Sequence, residues 1–589
     1  MQIDYKRDNY LSEFSIKTLE DRYLVEGETS PQDAFARAAK TFADDDAHAQ
    51  RLYDYASKLW FMFSTPVLSN GGTSRGLPIS CFLNYVEDSR EGLTGHYTEN
   101  AFLSSVGGGI GGCWNDVRSV GSRTSAGSES TGVIPFLKVV DAEMLAFSQG
   151  VTRRGSYAAY LEMSHPEIEE FLDIRKPTGG DVNRKSTNLH HAVTVSDEFM
   201  ELIERATREE GFDDSWDLVD PHSGEVTKTV SAKTLWVKLI QNRVETGEPY
   251  IMFKDTVQNA LPQFQKDAGL QVHHSNLCSE ITLATDDERT AVCCLSSVNL
   301  EEYDEWKDNE QFIPDLVRML DNVLEHFIEN APDALYRAKL SAQRERSIGL
   351  GAMGFHAYLQ RHNIPFESVL AKGANNRMFT RIKEEAVRAT RQLATERGEC
   401  PDGEGYGVRN AHLLAVAPNA SSSIICGNTS PSIEPYRANA FTQKTKSGSS
   451  LLKNEYLQHA LQEIGMDTEE VWKSVITNGG SVQQLEFLDE YTKDVFKTAV
   501  EIDQKWIIEM AGDRQNHICQ SQSLNVFFPA DVSKQELHAI HMMAWKQKVK
   551  TLYYLRSEAI KRAETVSDEA LRQYMFDSID EGACLACEG

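Results

Sequence analysis

Apolar positions along this chain alternate between helical and strand-like spacing, with polar, glycine-rich passages between them. Behind Ser30-Pro31, an N-cap followed by proline at the first helical position, Phe35, Ala38, Ala39 and Phe42 share one helical face. The run Asp44-Asp45-Asp46 follows, so residues 1–60 read as a helical packing layer with a solvated acidic face. A second helical pattern from Val133 to Gln149 carries Ile134, Leu137, Met144 and Phe147, with Asp141 where an apolar residue is expected. Further helices are expected near 232–246, 312–340 and 360–398. His191-Ala192-Val193-Thr194-Val195 and the segment from Ala291 to Ser296 have strand character. The small residues of Gly349-Leu350-Gly351-Ala352-Met353-Gly354 suggest close packing between elements.

The polar passages are where ligands could approach. Ser64 to Gly72 leads to Cys81, and Val106-Gly107-Gly108-Gly109-Ile110-Gly111-Gly112 is followed by Arg118 and Arg123. Glycines free backbone N–H groups for phosphate or base contacts, although this pattern is neither a dinucleotide fingerprint nor a Walker A loop. Arg175-Lys176-Pro177-Thr178-Gly179-Gly180, continuing to Arg184-Lys185, reads as a mobile anion-contacting loop, with a solvated turn as the plainer alternative. Asn419-Ala420-Ser421-Ser422-Ser423 offers adjacent hydroxyls and backbone donors suited to an anion at a helix start.

At 589 residues the chain can bury several cores or one large α/β unit. Its net charge of −28 argues against direct DNA binding, which needs a basic footprint, but leaves room for nucleotides held by a few local cations. No signal-like or membrane-spanning apolar segment is present in the sequence, and ten cysteines are too sparse for a disulfide scaffold, so a reducing cytoplasmic setting is expected.

The cysteines' positions matter more than their number. Ser275-Asn276-Leu277-Cys278-Ser279-Glu280-Ile281 sets a thiol between an amide and a carboxylate, each two residues away; in an extended segment all three would face one side. A cysteine among apolar neighbours is ordinarily inert packing. The terminal Cys584-Leu585-Ala586-Cys587 lacks the second pair a structural zinc site would need and suits thiol–disulfide exchange. Tyr553-Tyr554 would ordinarily be packing, but stacked phenols beside a thiol can also pass an oxidising equivalent.

Taken together, these motifs resemble the large, catalytic subunit of class I ribonucleotide reductases over roughly residues 60 to 589. The resemblance rests on the Thr-Pro and Ser-Cys passages, the Gly-Gly-Ile-Gly loop, Asn-Leu-Cys-x-Glu, Cys-x-Leu-Ser, Pro-x-x-x-Ser-Ser, Gln-Ser-Gln-Ser-x-Asn, Lys-Thr-x-Tyr-Tyr and the cysteine-pair tail, in that order. It implies a ten-stranded α/β barrel of two five-stranded halves around a finger loop. The expected divisions are an N-terminal helical region (1–60), the barrel (61–530), a region carrying the tyrosine relay (531–570) and a flexible redox tail (571–589). It implies reduction of ribonucleoside diphosphates, with Cys278 as the thiyl radical, Glu280 as base and Asn276 as hydrogen-bonding neighbour. Cys81 and Cys293 would be the reducing dithiol, Cys293 rather than Cys294 being the cysteine that fits the family pattern. Tyr553 and Tyr554 would relay the radical, and Cys584 and Cys587 would re-reduce the buried pair.

The same resemblance places Thr65, Ser80, Gly109, Asn419, Ala420, Ser421, Ser422 and Ser423 at the substrate. Asp88, Arg118, Arg175, Lys176, Arg184 and Lys185 would form the region where ATP or a deoxynucleoside triphosphate selects it. No metal or covalent cofactor is expected in this chain. The radical would come from a metal-containing small subunit, electrons from thioredoxin or glutaredoxin, and the chain would form a homodimer, in the cytoplasm or, if virus-encoded, that of the host. Only about 60 residues precede the radical-enzyme pattern, so a full ATP-cone is not expected. A cobalamin-dependent reductase shares the thiol logic but needs no tyrosine relay, and a silent nucleotide sensor would leave the ordered thiols unexplained.

Overall fold

The computed structural model describes residues 1–147, 155–445 and 448–557; Cys584, Cys587 and the expected tail lie outside the described residues. Helices Glu13–Arg22, Pro31–Thr41 and Asp46–Ser57 form the N-terminal layer. The second is started by a capping box, in which Ser30 and Asp33 satisfy each other's backbone donors, and Phe35, Ala38, Ala39 and Phe42 are all buried.

The strands are β1 (Phe61–Phe63), β2 (Cys81–Tyr85), β3 (Gly109–Cys113), β4 (Tyr157–Glu162), β5 (His190–Val195), β6 (Ser215–Val219), β7 (Val226–Ser231), β8 (Tyr250–Phe253), β9 (Ala291–Cys293), β10 (Leu295–Asn299), β11 (Gly349–Met353), β12 (Ala440–Thr445), β13 (Gly448–Lys453), β14 (Val526–Phe528), β15 (Thr551–Leu552) and β16 (Leu555–Ser557). A seven-stranded sheet runs β15-β8-β5-β4-β3-β2-β9. Its central strands β2, β3, β4, β5 and β8 are mutually parallel, and β9 and β15 close the two edges antiparallel. This is one five-stranded half of the expected barrel.

The other half is built from shorter pieces. β10 and β11 pair in parallel, single parallel bridges join Leu350 to Leu414 and Val416 to Gln522, and β14 pairs with β16. The expected barrel fold is thus present as an incomplete, barrel-like curved sheet among the described residues. The ladder is interrupted where backbone groups serve another partner: Ser521 N–H donates to Glu280 O at 2.9 Å.

Side chains alternate cleanly across this sheet. Cys81, Leu83, Ala158, Tyr160, Ala192, Tyr250, Met252 and Cys293 share one interior cluster with Cys278, Tyr553 and Tyr554. Their neighbours Phe82, Ala159, Leu161, Val193, Ile251 and Cys294 pack outward against the helices. Asp141 is explained here, since its carboxylate accepts from Asn188 N–H at 2.8 Å and Leu189 N–H at 3.1 Å and pins the strand that follows. The expected close packing at 349–355 is also visible: a Cβ on Gly351 would lie 2.6 Å from Ala415 O.

Candidate active site

Residues 271–285 enter the sheet's interior without regular secondary structure and put Cys278 at their tip. The segment is not the extended stretch expected. Ser279 adopts a left-handed φ of 67°, and Ser279 N–H reaches back to Asn276 O at 3.4 Å, so the chain turns at the thiol. That turn is held from several sides. Tyr160 donates to Asn276 O at 2.7 Å, Ser523 to Cys278 O at 2.6 Å, and Thr551 to Ser279 O at 2.7 Å. Gly111 makes room for it, because a Cβ there would sit 2.2 Å from Ser275 O. The motif residues around 521, 523 and 551 were legible as patterns, but their role as a cradle was not, since it depends on contacts across more than two hundred residues of chain.

The turn separates functions that an extended strand would have merged. Cys278 faces Tyr553, whose hydroxyl lies 3.5 Å from its Sγ. Asn276 and Glu280 instead face the other two thiols. Asn276 Nδ2 donates to Cys81 Sγ at 3.3 Å, and one ligand atom each from Cys81, Glu280 and Cys293 lie within 4.8 Å of one another. Such a trio could chelate a thiophilic cation, which would tie up both sulfurs.

Cys81 and Cys293 are direct cross-strand partners in antiparallel β2 and β9, a spacing from which a disulfide can form. Cys294, one residue on, points into the outer core and contacts Leu320 O at 3.5 Å. The pleat thus selects Cys293 for the pair. Burial, followed by the neighbouring Cys81, pushes the Cys293 thiol well up, favouring the protonated dithiol. Burial likewise holds the Glu280 carboxyl well above its usual range, again with Cys81 adding to it. Glu280 Oε2 accepts from Ser523 at 3.0 Å, while Oε1 has no hydrogen-bond partner among the described residues.

The paired tyrosines continue outward from Cys278. The rings of Tyr553 and Tyr554 lie 4.3 Å apart between centroids, and Tyr250 packs against them at 4.7 and 5.0 Å. A thiol, two closely packed phenols tilted at 53° and a separate dithiol therefore converge on one buried space.

A model described as "Ribonucleotide reductase, barrel domain" matches residues 79–405 and 401–555, and one described as "Ribonucleotide reductase, all-alpha domain" matches 10–76. The chain belongs to the ribonucleotide reductase large-subunit family. It is 44% identical to the ribonucleoside-diphosphate reductase large subunit of Invertebrate iridescent virus 3, with 100% of both chains covered. It is 32% identical to that of Caenorhabditis elegans over 100% of this chain and 82% of the other. Among solved structures it resembles the Actinobacillus ureae class Id ribonucleotide reductase alpha subunit, at 35% identity and a TM-score of 0.83, covering 95% of this chain and 98% of that one.

In this reductase chain the expected substrate residues fall into two sets, one at the starts of helix Ala420–Ile425 and of the helix after β1, the other at the starts of β2 and β3. Helix Ala420–Ile425 packs beside β1, and Thr65 begins the next helix just after that strand. Asn419, with a left-handed φ of 57°, ties the helix start to Ser297 through Nδ2 at 2.9 Å. Ser421, Ser422 and Ser423 are buried there, and Thr65 Oγ1 meets Tyr23 at 3.1 Å. Ser80 and Gly109 lie side by side at the start of β2 and β3, Gly109 N–H donating to Ser80 O at 2.8 Å.

The expected effector residues do not form one group. Arg118 pairs with Asp88 at 2.9 Å, and His222 meets the same carboxylate at 3.3 Å. Lys176 pairs with Glu245 at 2.9 Å, Arg184 with Glu170 at 2.5 Å, and Lys185 Nζ donates to Asp173 O at 2.9 Å. Arg175 turns the other way, toward the tyrosines, where its guanidinium engages Glu248. Periodicity carried no sign of this, because the side chain's direction is set by a carboxylate 73 residues away.

Proposed function

We propose that this chain reduces ribonucleoside diphosphates to 2′-deoxyribonucleoside diphosphates by thiyl-radical chemistry. The observation that carries the reading is the Tyr553 hydroxyl against Cys278 Sγ at 3.5 Å, with the Cys81–Cys293 pair opposite across the same buried space. Cys278, oxidised through Tyr554 and Tyr553, abstracts the 3′-hydrogen of the ribose. Glu280 takes the proton of the 3′-hydroxyl, for which an unpartnered oxygen and a raised proton affinity suit it. The 2′-hydroxyl leaves as water while Cys81 and Cys293 supply two electrons and close to a disulfide, after which Cys278 recovers its hydrogen. Burial keeps the radical from water and stray reductants.

The oxidising equivalent comes from a metal-containing small subunit, and the paired tyrosines support this path over a cobalamin-dependent one. Cys584 and Cys587 return electrons from thioredoxin or glutaredoxin to the buried pair. Thr65 and residues 419–423 hold the diphosphate, with Ser80 and Gly109 beside the sugar. ATP or a deoxynucleoside triphosphate binds near Asp88 and Arg118, and the loop with Lys176, Arg184 and Lys185 contributes to its recognition; coupling between the effector and substrate sites is then reciprocal. Arg175 is not included, since it is committed to Glu248. Exposed Phe102, Val139, Leu145 and Phe147, on or at the ends of the adjacent helices Arg90–Ser105 and Val133–Ala146, support a homodimer at that end. Reduced thiols require a reducing compartment, so the chain acts in the cytoplasm, or in a host's if it is viral. No described helix is long and apolar enough to cross a membrane.

Cys278→Ser tests the central role. With the small subunit present, it retains nucleotide binding and forms no deoxynucleotide; product formation at the normal rate, without added cobalamin, overturns the reading.

A further inference from the structure

Tyr554 stands in an unusual concentration of buried charge. Arg556 lies over its ring, 4.0 Å from the centroid, and its hydroxyl oxygen is 3.4 Å from His190 Nδ1. The same nitrogen is 2.6 Å from Glu248 Oε1. Glu248 also engages Arg175, and its other oxygen accepts from His191 N–H and meets His191 Nδ1, both at 3.1 Å. Its side chain is 1% exposed, so this carboxylate is the hub of a buried network ending on Tyr554. Burial alone would neutralise it, but Arg175 and His190 outweigh that effect and hold its carboxyl well below the usual range.

His190 Nδ1 also lies 3.0 Å from Arg175 Nη1, so this one nitrogen meets the carboxylate, a guanidinium and the Tyr554 hydroxyl together. Two guanidinium groups beside a phenol oppose removal of an electron from it. One carboxylate, itself 1% exposed, stands against them through His190, where water screens it less than at the surface.

We propose that Glu248, acting through His190, is a positioning residue that offsets the positive charge around Tyr554 and so eases its oxidation. This rests on the radical relay argued above. In the step concerned Tyr554 gives one hydrogen equivalent, electron and proton together, to the organic radical of the small subunit. That radical is reduced by the same equivalent, and a neutral tyrosyl radical remains on Tyr554. Glu248 exchanges no electron; it changes how readily the step occurs.

The experiment uses the full chain assembled with its small subunit. Glu248→Gln keeps the shape and removes the charge, and turnover should fall about 10-fold or more with KM for the nucleotide unchanged. Glu248→Asp should recover most of that loss. Placing 3-aminotyrosine, a more easily oxidised phenol, at position 554 should give equal yields of trapped radical with Glu248 and with the Glu248→Gln change. Full turnover by Glu248→Gln overturns the proposal, as does a trapped-radical yield that falls as steeply as turnover, which would mark a purely structural ion pair. Tyr554→Phe separates the two layers: if it is fully active the relay itself is wrong, whereas an inactive Tyr554→Phe beside a fully active Glu248→Gln sinks only the role of Glu248.

Discussion

Replacing Gly111 by alanine should disable the enzyme by displacing the reacting groups without changing the chemistry of any of them. Gly111 lies in the middle of β3 with its Cα facing the finger formed by residues 271–285, and a Cβ there would sit 2.2 Å from Ser275 O and 2.8 Å from Asn276 Cα. Ordinary contact begins near 3.4 Å, so the finger must retreat by about 1 Å. The strand itself cannot give way, because both its neighbours, β2 and β4, are paired to it in register. A shift of that size takes the contacts of Cys278 with Tyr553 (3.5 Å) and of Asn276 with Cys81 (3.3 Å) beyond the reach of a hydrogen bond to sulfur. Misplacement by about 1 Å costs about 100-fold in rate. Deoxynucleotide formation measured with the small subunit should fall by that order, with nucleotide binding retained. Gly373→Ala is the control: it lies in helix Val369–Arg397, and its Cβ would meet only the end of Arg377 at 3.3 Å. It should be neutral or stabilising by up to about 1 kcal/mol. Wild-type turnover by Gly111→Ala would show that the finger does not need this close approach.

Three further outcomes follow from the same geometry. Glu280→Gln should lower turnover by about 10²–10⁴-fold. It should also raise the melting temperature increasingly as pH rises above about 4.3, because burial lifts the folded-state value and wild type loses up to about 1.4 kcal/mol per pH unit through that window; a gain equal at pH 4 and pH 8 would refute the cause. Cys293→Ser should abolish turnover while Cys294→Ala keeps it at a stability cost of about 1 kcal/mol, and equal activity losses would undo the assignment made from the strand's alternation. Changing both Cys584 and Cys587 to serine should impair repeated turnover with thioredoxin far more than with a small dithiol, and equal losses under both reductants would remove the shuttle.

Much of the architecture was readable from local pattern. Helix Ala232–Thr246 and the helix starting at Pro31 occur where periodicity and capping put them, because an amphipathic face and an N-cap are local properties. β5 likewise lies at His190–Val195. The broken second half of the barrel was not readable, since part of its ladder is given up to the loop that carries Cys278.

By itself the sequence determined which residue types were available and in what order: the thiols, the paired phenols, the glycine-rich strand and the polar motifs that carry the family resemblance. Tertiary structure alone decided how they are aimed. It turned Ser279 left-handed, which sends Cys278 toward Tyr553 and Glu280 toward Cys81 instead of setting all three on one face. It took Arg175 from the basic loop and gave it to Glu248. Both outcomes depend on partners far away in the chain, and a buried charge or an unpaired backbone group is costly enough that such partners override local preference.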